Sequence, residues 1–429
     1  MYASHRMTPT SGGTMQLSLQ TSHEGKGTAI HPPTPTSRSS LTPPVTPIAK
    51  DSDAERSIPT LLNDSPAQTA SLLKRSISTS IRFTDDLKVD YDSEDRPIEF
   101  GRGAWSIVYK ARSIPSAPTP AIHTPPSSPI AATRVYAVKA PLRRDARPVL
   151  QCEALTLTRL NLTPGYERYI VPFHGYHSET EALVMSAVPL ALSTYIEDQA
   201  DITRKQGVST ATMFNPVQGP ESWRDLARKL ISGLEWLHKT AGIIHGDIKP
   251  HNLLLRPMAT DEPGAPDPGA FPFEPLFADF SSAMDVPSQE AEGGDEALLG
   301  LGLGLGLEAE KSRTSMSAFT PPFTAPELLT LAALKSGEVA PTPASDVFSL
   351  AATLVAAATG DLLLYPGSSN MQRLAMARDG HRILEFTRCG TNGARVPRAG
   401  FVEKLLQPAV AKDPTQRIDT SDWVTMAYA

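Results

Sequence analysis

Apolar positions fall first into short strand-like runs and then into helical periods. Ser106 to Ala111 and Arg134 to Ala140 read as strands, with a turn-prone Gly101-Arg102-Gly103 ahead of the first. Pro148 to Leu160 reads as a helix opened by proline in its first turn. Glu181 to Val188 reads as a further strand. Trp223, Leu226, Leu230, Leu234 and Leu237 then recur at helical spacing, which predicts a long amphipathic helix. The strand-like Leu253-Leu254-Leu255 follows, and Asp346 to Thr359, mostly alanine and leucine, predicts a helix buried on most sides. The expected class is α+β, with a small β-rich lobe followed by a larger helical one.

Three insert-like stretches interrupt this pattern: Ser113 to Thr133, Arg256 to Pro275, and Met284 to Met316. Without them the segment from Tyr91 to Met426 holds roughly 260 residues, the size of one large domain or two apposed lobes. The glycines of the Leu-Gly repeat from Leu299 to Leu307 weaken both helix and strand, so it reads as a spacer rather than a zipper segment. Residues 1–90 are rich in Ser, Thr, Pro and Gly without sustained apolar period. They cannot bury enough surface to offset ordering entropy and are expected to be a disordered tail, leaving 91–429 as the folded domain.

Composition narrows the classes. The chain's 40 prolines amount to about 9%, against ~5% in average proteins, and they crowd into the tail and inserts. A net charge of −6 gives no global reason to expect nucleic-acid binding. Two cysteines, Cys152 and Cys389, cannot build a disulfide framework or a multi-cysteine metal site. No apolar run approaches the ~18 residues a membrane crossing needs, and the N-terminus lacks a secretory apolar core. Met1 to Ser22 has basic and hydroxyl residues and no acids, which fits a mitochondrial transit peptide as a lesser alternative. The expected compartment is cytoplasmic or nuclear.

The densest chemistry lies in His245-Gly246-Asp247-Ile248-Lys249-Pro250-His251-Asn252. An acid, a cation and an amide stand at fixed offsets between a helical period and a strand. Phosphoryl transfer needs such a set: a carboxylate to orient the attacking hydroxyl, a cation for the moving phosphoryl, an amide oxygen for a metal. The segment resembles the catalytic loop of protein kinases, usually H-R-D-x-x-x-x-N. Other runs follow the same family's order. Gly101-Arg-Gly103-Ala-Trp-Ser106-Ile-Val108 resembles the Gly-rich loop, with Ser106 in place of the third glycine. Val135-Tyr-Ala-Val-Lys139 resembles the strand whose lysine meets the nucleotide phosphates, and Glu153 stands where that lysine's partner belongs. Asp279-Phe280-Ser281 resembles D-F-G, and Thr320-Pro-Pro-Phe-Thr-Ala-Pro-Glu327 resembles the close of the activation segment. Each run alone is weak, and a ligand-free hairpin or a strand-end lysine is the commoner meaning. Their shared order makes chance an implausible source.

The resemblance, spanning 91 to 426, implies a serine/threonine protein kinase that transfers the γ-phosphoryl of ATP to protein substrates. Asp247 and Lys249 would be catalytic. Gly101, Gly103, Ser106, Val108, Lys139, Glu153 and Met185 would bind ATP, with Met185 behind the adenine. Asn252 and Asp279 would hold Mg²⁺, and His245, Thr320, Glu327, Asp346 and Arg417 would scaffold the site. A kinase-fold scaffold without catalysis is the alternative, since Gly246, Ser281 and Ser106 depart from the family pattern. Gly246 replaces an arginine that pairs with activation-segment phosphate in many kinases, so activation is expected not to need phosphates on Ser312, Thr314, Ser315 or Ser317. Pairs such as Thr42-Pro43, Thr46-Pro47 and Ser65-Pro66 would suit upstream proline-directed kinases.

Overall fold

The computed structural model describes residues 79–114, 134–207, 209–210, 212–258, 269–287, 321–330, 333 and 339–429. Strands dominate the first part. β1 (Asp86–Val89), β2 (Glu99–Arg102), β3 (Ser106–Ile114), β4 (Val135–Pro141), β5 (Phe173–His177) and β6 (Ala182–Ser186) form one antiparallel sheet. Its order is β1-β3-β4-β6-β5, with β2 also on β3. Alternation along β4 sorts its side chains between two faces. Tyr136 and Val138 join Ala111, Ala182 and Val184 in an apolar cluster on one face, while Lys139 emerges on the other, toward helix α1 (Arg147–Asn161).

A strap precedes the sheet. Ile81 accepts from the Tyr176 N–H at 2.8 Å, and the Phe83 N–H donates to the Tyr176 carbonyl at 3.1 Å. The Ile81 N–H also donates to Thr158 Oγ1 on α1 at 3.1 Å, tying strap, sheet and helix together. Gly175 permits this approach: its φ is +143°, and a Cβ there would stand 2.7 Å from the Phe83 nitrogen. The expected start of order at Tyr91 is therefore too late. Ile81 and Phe83 pack against the two apolar clusters, and β1 pairs with β3 before Tyr91 is reached. Residues 1–78, most of the expected tail, lie outside the described residues.

The second part is helical: α2 (Leu192–Gln206), α3 (Pro220–Glu235), α4 (Pro343–Thr359), α5 (Asn370–Arg378), α6 (Ile383–Arg388), α7 (Phe401–Leu406) and α8 (Thr420–Tyr428). α3 buries Trp223, Leu226, Leu230 and Leu234, the expected face, and its chain continues as a π-turn over Trp236–Ala241. α4 is buried from Ser345 through Thr359, because almost every side chain along it is apolar or small. Thr342 and Ser345 cap its start reciprocally: the Ser345 N–H donates to Thr342 Oγ1, and the Thr342 N–H to Ser345 Oγ. Two short ladders accompany these helices: β7 (Ile243–Ile244) with β10 (Met284–Asp285), and β8 (Leu253–Pro257) with β9 (Phe273–Phe277).

Strand pairing trims the expected inserts. Ser113 and Ile114 complete β3, Arg256 and Pro257 pair with Glu274 and Phe273, and Met284 pairs with Ile244. The intervening 115–133, 259–268 and 288–320 lie outside the described residues. Two further boundaries shift. Glu181 is not part of β6, since its φ of +54° places it in the turn before that strand. Gly101 and Arg102 belong to β2, leaving Gly103 alone in the turn.

Candidate active site

β4 delivers Lys139 to the face that α1 covers. There Lys139 Nζ donates to Glu153 Oε1 at 2.8 Å and Oε2 at 2.7 Å, and also to Asp279 Oδ1 at 2.8 Å. Lys139 and Glu153 are 5% and 1% exposed, so neither charge has water to rely on. Burial opposes the Lys139 charge, but Asp279 and Glu153 beside it outweigh that and hold the ammonium protonated above the usual lysine range. For Asp279 burial likewise disfavours the charge. Lys139 and the Ser281 hydroxyl overcome it and keep the carboxyl well below the usual carboxylate range. Glu153 also accepts from the Phe280 N–H at 3.1 Å, linking α1 to the segment that carries Asp279.

Register explains how Asp279 meets the 245–252 segment. Leu253 pairs with Phe277 at the end of the β8–β9 ladder. One residue further the Ala278 N–H donates to the Asn252 carbonyl at 2.9 Å. Asp279 is thus held beside Asn252. Its φ is +63°, an unfavourable region for a residue with a Cβ, which persists only where the surroundings over-determine it. Here the donors on its carboxylate do so.

Asp247 is bound from two sides. Lys249 Nζ donates to its Oδ2 at 2.6 Å, and Asn252 Nδ2 donates to the same oxygen at 3.0 Å and to the Asp247 carbonyl at 2.9 Å. Burial pushes Asp247 up to about 6, against the pull of Lys249 and Asn252. With Nδ2 so engaged, the Asn252 Oδ1 oxygen has no donor among the described residues.

The backbone beneath is fixed from afar. Asp346, 1% exposed near the start of α4, accepts from the His245 N–H at 2.7 Å and the Gly246 N–H at 2.9 Å. His238 Nε2 also contacts Asp346 Oδ2, at 3.1 Å. His245 is fully buried, its Nε2 donating to the Ala278 carbonyl at 3.1 Å and its Nδ1 accepting from the Asp247 N–H at 3.3 Å. These two bonds define a neutral tautomer, and burial holds its pKa below the usual value. Gly246 has φ +80°, and a Cβ there would lie 2.5 Å from the Ser282 carbonyl oxygen. Farther out, the Arg417 guanidinium donates bidentately to Glu327 at 2.7 Å for each bond, and also to the Ala344 carbonyl.

The Gly101–Val108 stretch forms β2, a turn and β3, closed by the Gly103 N–H donating to the Ser106 carbonyl at 2.8 Å. A Cβ at Gly101 would meet nothing within 4 Å, so the protein's own packing does not require glycine there. Met185 lies at the end of β6 with 9% exposure, packed in the large apolar core.

The protein kinase domain model matches residues 132–429, more than half of the chain. This chain belongs to the protein kinase family. It is 36% identical over 145 residues to the serine/threonine-protein kinase PknK of Mycobacterium tuberculosis, in two strains, and 35% identical to that of Mycobacterium bovis. The aligned stretch is 33% of this chain but only 9% of those relatives' length.

The kinase fold gathers most of the residues singled out from sequence. Lys139, Glu153 and Asp279 meet directly, as do Asp247, Lys249 and Asn252, with His245 and Asp346 beneath them. Glu327 and Arg417 pair at a second place, and Thr320 lies outside the described residues. One contributor escaped the sequence reading: His238, which shares Asp346 with the 245–252 segment. Ser281, noted from sequence only as a departure from the family pattern, donates to Asp279. Nothing local distinguishes His238 on α3's continuation; the Ser281 hydroxyl, two residues past an acid, is a pattern that can be looked for.

Proposed function

We propose that this kinase-family chain is an active serine/threonine protein kinase using Mg²⁺-ATP. The observation that carries the proposal is Lys139 bridging Glu153 and Asp279, each within 2.8 Å, because family catalysis needs that ion pair and the metal-binding aspartate in place together. The oxygens left without donors, Asp279 Oδ2 and Asn252 Oδ1, suit a hard cation that also takes phosphate oxygens. When bound, the cation would neutralise charge on the nucleotide phosphates.

The chain's own residues would then do the following. Lys139, positioned by Glu153, holds the phosphates of the nucleotide. Asp247 accepts a hydrogen bond from the substrate hydroxyl and aims its oxygen at the γ-phosphorus. Lys249, 2.6 Å from Asp247, faces the charge that develops between them. Gly101 in β2 and Gly103 in the turn would let backbone N–H groups approach phosphate oxygens without a Cβ in the way, a role that would account for glycine at 101. Most of the acceleration comes from positioning and fixed charges. The relatives' printed name and Lys249 together favour serine or threonine as acceptor and proteins as substrates.

Peptide phosphorylation by the purified chain with labelled ATP, Mg²⁺ and a degenerate peptide library tests the proposal. Asp247→Asn should lower the rate by ~10² to 10⁴ with nucleotide binding nearly intact. Absence of phosphorylation together with no Mg²⁺-dependent stabilisation by ATP would instead favour the scaffold reading.

A further inference from the structure

Ser281 is not used by the mechanism above. Its Oγ donates to Asp279 Oδ1 at 2.8 Å, and its backbone N–H reaches the same oxygen at 3.4 Å. Lys139 Nζ donates there too, at 2.8 Å. A carboxylate oxygen offers about two lone-pair directions, so Oδ1 is fully engaged. No donor among the described residues reaches Oδ2. The Asp279 side chain is 38% exposed while Lys139 is 6% exposed, so a ligand can reach the carboxylate where it cannot reach the ammonium as readily. Glycine at 281 would supply the weaker backbone contact but not the hydroxyl.

We propose that Ser281 is a positioning and specificity-determining residue: by occupying Oδ1 it restricts Asp279 to a one-oxygen contact, through Oδ2, with the cation of the nucleotide complex. The inference rests on the Mg²⁺-ATP reading above. Its consequence follows from the preferences of the ions. Mg²⁺ is small, demands near-octahedral geometry and is satisfied by one oxygen from a carboxylate. Ca²⁺ takes more oxygens at longer distances and often binds both oxygens of a carboxylate. Blocking one oxygen therefore penalises the larger ion more. Removing the hydroxyl frees part of Oδ1 and lets the carboxylate turn both oxygens to a cation.

The test measures binding of a non-hydrolysable ATP analogue to the full chain in Mg²⁺ and in Ca²⁺, by fluorescence titration and thermal shift. Wild type, Ser281→Ala, Ser281→Gly and Ser281→Thr are compared. The ratio of Kd in Ca²⁺ to Kd in Mg²⁺ should fall at least ~3-fold, or ~0.7 kcal/mol, in the alanine and glycine variants. Threonine, which restores the hydroxyl, should return it to within ~2-fold of wild type. In peptide phosphorylation the alanine variant should change KM for the metal–nucleotide complex more than kcat. An unchanged ratio in alanine and glycine, with wild type still binding nucleotide in a cation-dependent way, overturns this inference alone. So does a threonine variant that behaves like alanine. Wild type without cation-dependent binding overturns the kinase reading and this one together. If alanine alone fails to fold, glycine decides the matter.

Discussion

Gly246→Ala is the sharpest test of how the 245–252 segment is held, because the position combines two separate costs. The residue has φ +80°, and placing an L-residue with a Cβ in the left-handed region costs ~1–2 kcal/mol. A Cβ there would also meet the Ser282 carbonyl oxygen at 2.5 Å and Pro341 Cγ at 3.3 Å. The oxygen belongs to backbone next to the β7–β10 ladder, so the chain itself must move, adding ~1–3 kcal/mol of overpacking strain. The sum, ~2–5 kcal/mol, is a large share of the ~5–15 kcal/mol that holds an ordinary domain folded. Urea denaturation followed by tryptophan fluorescence measures it. The melting temperature should fall by at least ~4 °C, and Asp247, one residue on, should lose its alignment. Gly246→Asn separates the two costs. Asparagine tolerates the left-handed region better but carries the same Cβ, so it should recover up to ~1 kcal/mol of the loss and no more. An alanine variant within ~0.5 kcal/mol of wild type would refute the reasoning. A stable asparagine beside an unstable alanine would place the whole cost in the backbone angle.

Arg417→Ala should destabilise the domain by ~3–5 kcal/mol, because it strands the Glu327 carboxylate and the Ala344 carbonyl without a buried partner. Lysine should recover little of this, lacking the planar fork that makes both bonds, and a loss under ~1 kcal/mol in urea denaturation would contradict the account. His245 sets a pH dependence whose sign is definite. Its folded pKa lies below the unfolded value, so its contribution is full above that value and is lost as pH falls below ~6.5. Asp247, raised by burial, acts in the opposite sense over an overlapping window, so the quantity to follow is wild type minus His245→Gln. That difference in unfolding free energy should shrink from pH 7.5 to 5.5; a constant difference would mean that His245 titrates alike in both states.

The local pattern alone carried a good deal. The helical spacing of Trp223, Leu226, Leu230 and Leu234 predicts α3 because neighbours three and four apart share one side of a helix. The order of the Lys139, Asp247, Asn252 and Asp279 runs indicates the family, since each motif is a few residues long. Boundaries were less legible. The ends of β3, β8 and β10 lie in polar or proline-rich stretches and are strands only because a partner strand supplies their hydrogen bonds.

What brings those runs together depends on closures that no short window contains. Asp346 reaches His245 across about a hundred residues, and Arg417 reaches Glu327 across ninety. The requirement for glycine at 246 arises from Ser282, and at 175 from Phe83, each a neighbour only after the chain has folded. The double hold of Lys139 and Ser281 on one oxygen of Asp279 likewise needs the sheet, α1 and the β8–β9 ladder in register. Periodicity and motif spacing express what each segment prefers with its near neighbours. Which carboxylate oxygen stays free, and which backbone N–H finds a distant acceptor, is decided by the packed path of the whole chain.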